Sequence, residues 1–204
     1  MIGIVDYNAG NITSVGRALK NLGIKYILSK NPSELENCDK IIFPGVGDAS
    51  YAMTQLKKTG FDKFLTDWNN NKKAILGICL GSQIIFDWSE EGNTNCLGLI
   101  KGKIKNFYTL DKNLKEKVPQ IGWNNLLYEN ENCPILKNIP ENTDFYFVHS
   151  YVICPDDFSV VKATTDYGIK VPAVIQQENL FACQFHPEKS GEFGLKILKN
   201  FCEL

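Results

Sequence analysis

Arginine is almost missing from this chain: Arg17 is the only one among 204 residues. Base readout in DNA grooves and bidentate clamping of phosphates lean on that side chain. With a formal net charge of −1, no basic field draws the chain to nucleic acid or to an anionic membrane. Long apolar runs are equally scarce. No stretch approaches the ~18 residues needed to span a bilayer. The opening run Met1 to Val5 is cut off by Asp6, Asn8 and Asn11 before it reaches the length of a secretion signal. The seven cysteines, Cys38, Cys79, Cys96, Cys133, Cys154, Cys183 and Cys202, are odd in number, and none stands in a C-x-x-C pair. That pattern fits neither a disulfide framework nor a zinc knuckle, and no His/Cys cluster has metal-ligand spacing. A reduced cytoplasmic setting is expected, with no metal and no cofactor, most thiols acting as small buried apolar groups.

What is present is the material of a globular protein, 44% hydrophobic and 22% charged. The length suits one domain over residues 1–204. Ile2 to Val5 reads as a strand, followed by the turn Asp6-Tyr7-Asn8-Ala9-Gly10-Asn11 and by Ile12, Val15, Leu19 and Leu22 at helical spacing. Tyr26-Ile27-Leu28 and Ile41-Ile42-Phe43 are further strands, the second stopped by Pro44-Gly45. A helix is predicted from about Ser50 to Trp68, then a doubly buried strand Ala74 to Ile78, then an amphipathic helix through Leu80, Ile84, Ile85 and Trp88. From about Leu97 to Cys183 short β-like runs take over (Ile121 to Leu127, Phe145 to Ile153, Ser159 to Ala163, Ala173 to Gln176), with polar turns at Leu110 to Lys117 and Glu129 to Pro134. Phe193, Ile197, Leu198 and Phe201 close the chain as a helical stripe. These signals predict an α/β fold: a mostly parallel central sheet, helices on both faces, and antiparallel strand additions at an edge in the second half.

The sharpest local feature is Gly77-Ile78-Cys79-Leu80-Gly81, a G-x-C-x-G turn between the buried strand and the following helix. It is the cysteine analogue of a nucleophile elbow, whose glycines keep side chains from crowding the nucleophile. The helix start favours a thiolate, and the N–H of Leu80 is placed to stabilise a tetrahedral oxyanion. The bland alternative is a buried cysteine between packing glycines. A thiol nucleophile needs a base, and the chain has two histidines. His186, in Gln184-Phe185-His186-Pro187-Glu188, has a carboxylate two residues on that can fix its tautomer. His149, in Phe147-Val148-His149-Ser150-Tyr151, reads more as a pocket wall. Pro44-Gly45-Val46-Gly47 follows another strand, and in a doubly wound sheet such a loop faces the same crevice as Cys79. A truncated dinucleotide motif, Gly45-x-Gly47-x-x-Ser50, is the rival reading of that loop, and no phosphate-binding G-x-x-x-x-G-K-[ST] occurs.

Gly77-Ile-Cys-Leu-Gly-Ser-Gln83 and Gln184-Phe-His-Pro-Glu-Lys-Ser190 together resemble the two most specific motifs of the class I glutamine amidotransferases. Further tokens resemble, within that class, the glutaminase subunits of imidazole glycerol phosphate synthases: Asp6 to Asn11, Pro44 to Gly47, Gly122-Trp-Asn124, Tyr146-Phe-Val-His-Ser-Tyr151 and Ala163-Thr-Thr-Asp-Tyr-Gly168. They run from end to end of the chain. The resemblance implies a Cys79-His186-Glu188 triad acting on the side-chain amide of glutamine, with Leu80, Gly45, Val46 and Gly47 as oxyanion backbone. It also implies Gly47, Gln83, His149, Ser150 and Tyr151 around the substrate, and Asn11, Trp123 and Lys189 toward a partner. Because the domain uses all 204 residues, the ammonia acceptor is expected on another chain. By resemblance that chain is a (β/α)8-barrel cyclase of histidine biosynthesis, forming a heterodimer. Ser82 and Ile121 stand where methionine is frequent in the class, leaving room for a paralogue that feeds a sugar-modifying enzyme of surface-glycan synthesis. A cysteine peptidase or thioester hydrolase, and a non-catalytic regulatory subunit, are the remaining alternatives.

Overall fold

The computed structural model describes residues 1–8, 11–129 and 132–204. Ala9 and Gly10 of the turn expected at Asp6 to Asn11, and Asn130 and Glu131 of the turn expected at Glu129 to Pro134, lie outside the described residues. The first half alternates as anticipated: β1 (Ile2–Val5), α1 (Ile12–Asn21), β2 (Tyr26–Ser29), α2 (Pro32–Leu35), β3 (Lys40–Gly45), α3 (Ala49–Thr59), α4 (Phe61–Asn70), β4 (Ala74–Cys79) and α5 (Leu80–Gln83). The second half contributes β5 (Trp88–Ser89), β6 (Thr94–Asn95), β7 (Gly102–Asn106), α6 (Phe107–Leu110), β8 (Gln120–Asn125), β9 (Leu127–Tyr128), β10 (Asp144–His149), β11 (Tyr151–Pro155), β12 (Val161–Asp166), β13 (Lys170–Gln177), β14 (Leu180–Cys183) and α7 (Gly191–Cys202).

Among the described residues the main sheet has eight strands in the order β2-β1-β3-β4-β14-β13-β12-β9. β1 to β4 and β14 are parallel, and β13, β12 and β9 continue the sheet antiparallel. Side chains alternate between two apolar layers, as period-two geometry requires. Ile41, Phe43, Ile75, Leu180 and Ala182 pack on one face with Ala52, Leu56 and Leu65 of α3 and α4. Ile42, Leu76, Phe181 and Cys183 pack on the other with Val15 and Leu19 of α1 and Ile197, Leu198 and Phe201 of α7. No helix among the described residues is long and apolar enough to cross a membrane.

Three details differ from expectation. The helix predicted from Ser50 to Trp68 is two helices, broken at Gly60, whose φ of 80° is a left-handed cap that glycine adopts without penalty. The helix predicted through Leu80 to Trp88 is a single turn, α5. Ile84, Ile85 and Phe86 are each wholly buried, and their carbonyls accept from the N–H groups of Leu97, Gly98, Leu99 and Ile100 instead of from a next helical turn. Burial on every side suits that crossing better than a one-sided helical stripe does. Finally, only β9, β12 and β13 of the antiparallel runs join the main sheet. β10 pairs with β8, and β11, β7, β5 and β6 form a separate four-stranded sheet. The predicted run Phe145 to Ile153 therefore turns a corner at Ser150, between β10 and β11.

Candidate active site

Cys79 ends β4 and starts α5 with φ 55° and ψ −113°. A non-glycine residue in that region is strained, and such strain persists where surrounding packing over-determines it. That packing is visible. β3 and β4 run side by side with Gly45 opposite Cys79, and α5 lies directly on the end of β3. A methyl group on Gly81 would sit 2.1 Å from the Phe43 carbonyl oxygen, and one on Gly77 would sit 2.9 Å from the Gly81 oxygen. The two elbow glycines thus clear room for backbone against backbone, rather than for the thiol itself. Ser82, wholly buried, donates its hydroxyl to the Cys79 carbonyl at 2.5 Å and closes the turn.

His186 lies beyond β14, in a segment tied down from several sides. Its N–H donates to the Tyr146 carbonyl on β10 at 2.9 Å, and its own carbonyl accepts the Ser190 hydroxyl at 2.7 Å. Pro187 opens a single 3-10 turn, Pro187–Lys189, where its missing N–H leaves no bond unmade. Glu188 therefore precedes α7, and its Oε1 meets His186 Nδ1 at 2.8 Å. The two side chains are 4% and 1% exposed, so little water screens the pair. Burial by itself disfavours the charged ring. Hydrogen bonds and charge from Cys79 and Glu188 outweigh it and raise the His186 pKa to about 9. The Cys79 thiol also points its S–H toward the Val148 carbonyl, 3.7 Å away.

These groups open onto a cavity of about 310 Å3, lined by Val46, Gly47, Cys79, Leu80, Gln83, Glu91, Pro119, Val148, His149, Ser150, Tyr151, His186 and Lys189. Small-molecule sites begin at about this size. Every residue expected around the substrate is therefore brought to one place, and Gly45 lies just behind it at the end of β3. His149 is a wall and not a second base. Its Nδ1 donates to the Tyr151 carbonyl at 2.7 Å, its Nε2 meets the Gln120 side chain at 2.9 Å, and burial lowers its pKa to about 4.

Glu91 is the residue that sequence reasoning passed over. It is the one carboxylate among the cavity's lining residues. It accepts from the Ala49 N–H at 2.9 Å, and burial raises its pKa. No periodicity signals it, because it reaches the cavity from a short 3-10 turn, Glu91–Asn93, folded against the start of α3. Tyr7 is likewise without a signal in the sequence. Its hydroxyl is buried without a hydrogen-bond partner, close beneath Gly45, and burial followed by the charge of Cys79 raises its pKa.

Of the three residues expected to face a partner, Trp123 is 58% exposed on β8 and packs edge-on against Tyr146 at 5.9 Å. The Lys189 ammonium lies 6.0 Å from the same Tyr146 ring. Trp123 and Lys189 thus meet on Tyr146, Lys189 also lines the cavity, and Ile121, 62% exposed, lies two residues before Trp123 on β8. Asn11 is half-buried and turned inward, its amide donating to Glu188 Oε1 at 3.4 Å.

Residues 3–204 match the family model described as Glutamine amidotransferase class-I. A protein of Geobacillus sp. (strain WCH70), named imidazole glycerol phosphate synthase subunit HisH, is 46% identical over 207 residues, covering 100% of this chain and 97% of the relative. The protein of the same name from Methanocaldococcus jannaschii is also 46% identical over 207 residues, with both chains covered completely at 100%. Among solved structures, PurLQS from Thermotoga maritima superposes with a TM-score of 0.76 at 19% identity, covering 99% of this chain and 97% of that one, a likeness of fold.

Proposed function

The chain belongs to the class-I glutamine amidotransferases, and from that premise we propose that Cys79, His186 and Glu188 hydrolyse the side-chain amide of glutamine. The observation that carries this reading is a strained cysteine at a strand end sharing one cavity with a buried His186–Glu188 pair. Cys79 Sγ attacks the amide carbon, its proton resting on His186. The oxygen becomes an oxyanion held by the Leu80 N–H and by backbone N–H groups of the Gly45-Val46-Gly47 loop. On collapse the C–N bond breaks and His186 hands the proton to the departing nitrogen, releasing ammonia and leaving a glutamyl thioester. Water then attacks the thioester as His186 takes its proton. The C–S bond breaks, glutamate leaves and the thiol is restored. Glu188 holds the imidazole by Nδ1 throughout, keeping the other nitrogen toward sulfur. Glu91 supplies the negative charge that a free amino acid's ammonium group requires.

Ammonia released into water at neutral pH is mostly ammonium, which has no lone pair for attack. One glutaminase domain of this kind needs an acceptor close by. We assign that acceptor to a separate (β/α)8-barrel cyclase subunit docked on the Ile121-Trp123-Lys189 patch. The pair would make imidazole glycerol phosphate and an aminoimidazole carboxamide ribonucleotide in histidine biosynthesis. The relatives named as subunits of that synthase support this assignment. The test is glutamate release from glutamine by the purified chain, with and without the cyclase and its ribonucleotide ligand. Strong stimulation by the loaded cyclase is expected, with release abolished in Cys79→Ala while partner binding persists. Release indifferent to the cyclase would move the partner to the sugar-modifying alternative. Release by Cys79→Ala at the parent rate would overturn the chemistry.

A further inference from the structure

Behind the cavity lies a polar chain that the hydrolysis above does not use. Gln184 is wholly buried, and its backbone N–H is pinned to the Ala173 carbonyl of β13 at 2.9 Å. Its Oε1 accepts from Gln83 Nε2 at 2.8 Å. The same Gln83 nitrogen donates to the Tyr151 carbonyl at 3.1 Å, an oxygen already held by His149 Nδ1 at 2.7 Å. A primary amide has two N–H donors, so both of Gln83's are spent on the protein. What Gln83 has left for the cavity is its Oε1, an acceptor only.

We propose that Gln184 is a positioning residue that fixes the Gln83 amide with its oxygen toward the cavity, so that the site selects a ligand bringing N–H donors. The inference rests on the glutaminase reading and extends it to specificity. With Gln83 oxygen and the Glu91 carboxylate both acceptors, the walls favour the ammonium and primary amide of glutamine. A freely turning Gln83 would offer N–H groups to a carboxylate or ester just as readily. A purely structural role explains Gln184 poorly. Its Nε2 has no partner among the described residues, and a buried unpaired donor destabilises a position that methionine would fill. The oriented acceptor it gives Gln83 is the compensating gain.

The test is calorimetric titration of L-glutamine into the full chain carrying Cys79→Ala, which binds without turnover, alone and with the synthase partner present. In that background Gln184→Met should weaken the Kd about tenfold, the worth of one buried hydrogen bond, while the thermal midpoint stays at or above the parent's. Gln83→Met should weaken the Kd at least as much, and the two changes together should add no more than about twofold beyond Gln83→Met alone, since Gln184 acts only through Gln83. If Gln184→Met does not fold, Gln184→Asn, which keeps the amide but shortens its reach, should weaken binding likewise. An unchanged Kd in the folded Gln184 variant, or penalties that multiply, would overturn the positioning role and leave the glutaminase reading intact. No glutamine binding by the Cys79→Ala chain would remove both.

Discussion

Replacing Glu188 by glutamine keeps the side chain's shape and leaves an oxygen opposite His186 Nδ1, but removes the charge. In the parent, burial opposes the imidazolium while Cys79 and Glu188 support it, and the ring rises from 6.5 to about 9. At about 1.4 kcal/mol per tenfold change in proton affinity, that net rise is worth roughly 3 kcal/mol. Glu188 is one of the two supports and sits at 2.8 Å with its side chain 1% exposed. Assigning it half of the net rise, about 1.5 kcal/mol, lowers the ring by at least about one pH unit. The chain has only two histidines, and His149 is held near 4. An imidazole NMR titration above about pH 6 therefore reads His186 alone. Stability follows the same group. A histidine raised on folding adds stability that is complete below its ordinary 6.5 and is lost as pH climbs through about 9. The parent's Tm should decline across that window, and Glu188→Gln should flatten the decline. With no counter-charge for the imidazolium formed during attack, kcat should fall on the order of 10²- to 10⁴-fold. An unaltered His186 titration in Glu188→Gln would refute the electrostatic account of the pair.

Gly81→Ala should destabilise the chain by on the order of 3 kcal/mol in a urea melt, because its methyl would stand 2.1 Å from the backbone oxygen of Phe43; parent-like stability would show that the elbow is not clamped onto β3. Tyr7→Phe should stabilise it by about 1 kcal/mol, since the buried hydroxyl has no partner; a loss of stability would mean that the hydroxyl is bonded in solution. Glu91→Gln retains an acceptor for the Ala49 N–H yet loses the charge offered to the substrate's ammonium. It should raise KM for glutamine about tenfold to a hundredfold with kcat much less affected, and an unchanged KM would place the ammonium elsewhere.

Much of the site was legible because its parts are local. The elbow Gly77 to Gly81 is one turn, and the pairing of His186 with Glu188 spans two residues and a proline. Close spacing constrains such groups whatever the rest of the chain does. The alternation of strands and helices up to β4 was legible for a similar reason, since each element carries its own periodicity. The short α5 was not. Leu80, Ile84, Ile85 and Trp88 fit a helical stripe as well as they fit a fully buried crossing, and only the segment Leu97 to Ile100, bonding to the carbonyls of Ile84, Ile85 and Phe86, decides between them. The assignment of β-like runs to sheets was undetermined too, because alternation shows that a residue faces a core without showing which core.

By itself the sequence determined which groups are available for the proposed chemistry and the order in which they occur, since a thiol, an imidazole and a carboxylate are properties of residues. Tertiary structure decided everything that depends on who approaches whom. It brought Glu91 into the cavity from a short 3-10 turn, turned Asn11 inward onto Glu188, and spent both donors of Gln83 on Gln184 and the Tyr151 carbonyl. It also set His149 near 4 and His186 near 9. Both are histidines in similar apolar runs, and what separates them is the partner that folding places at each ring: a neutral amide and a carbonyl for one, a thiol and a buried carboxylate for the other.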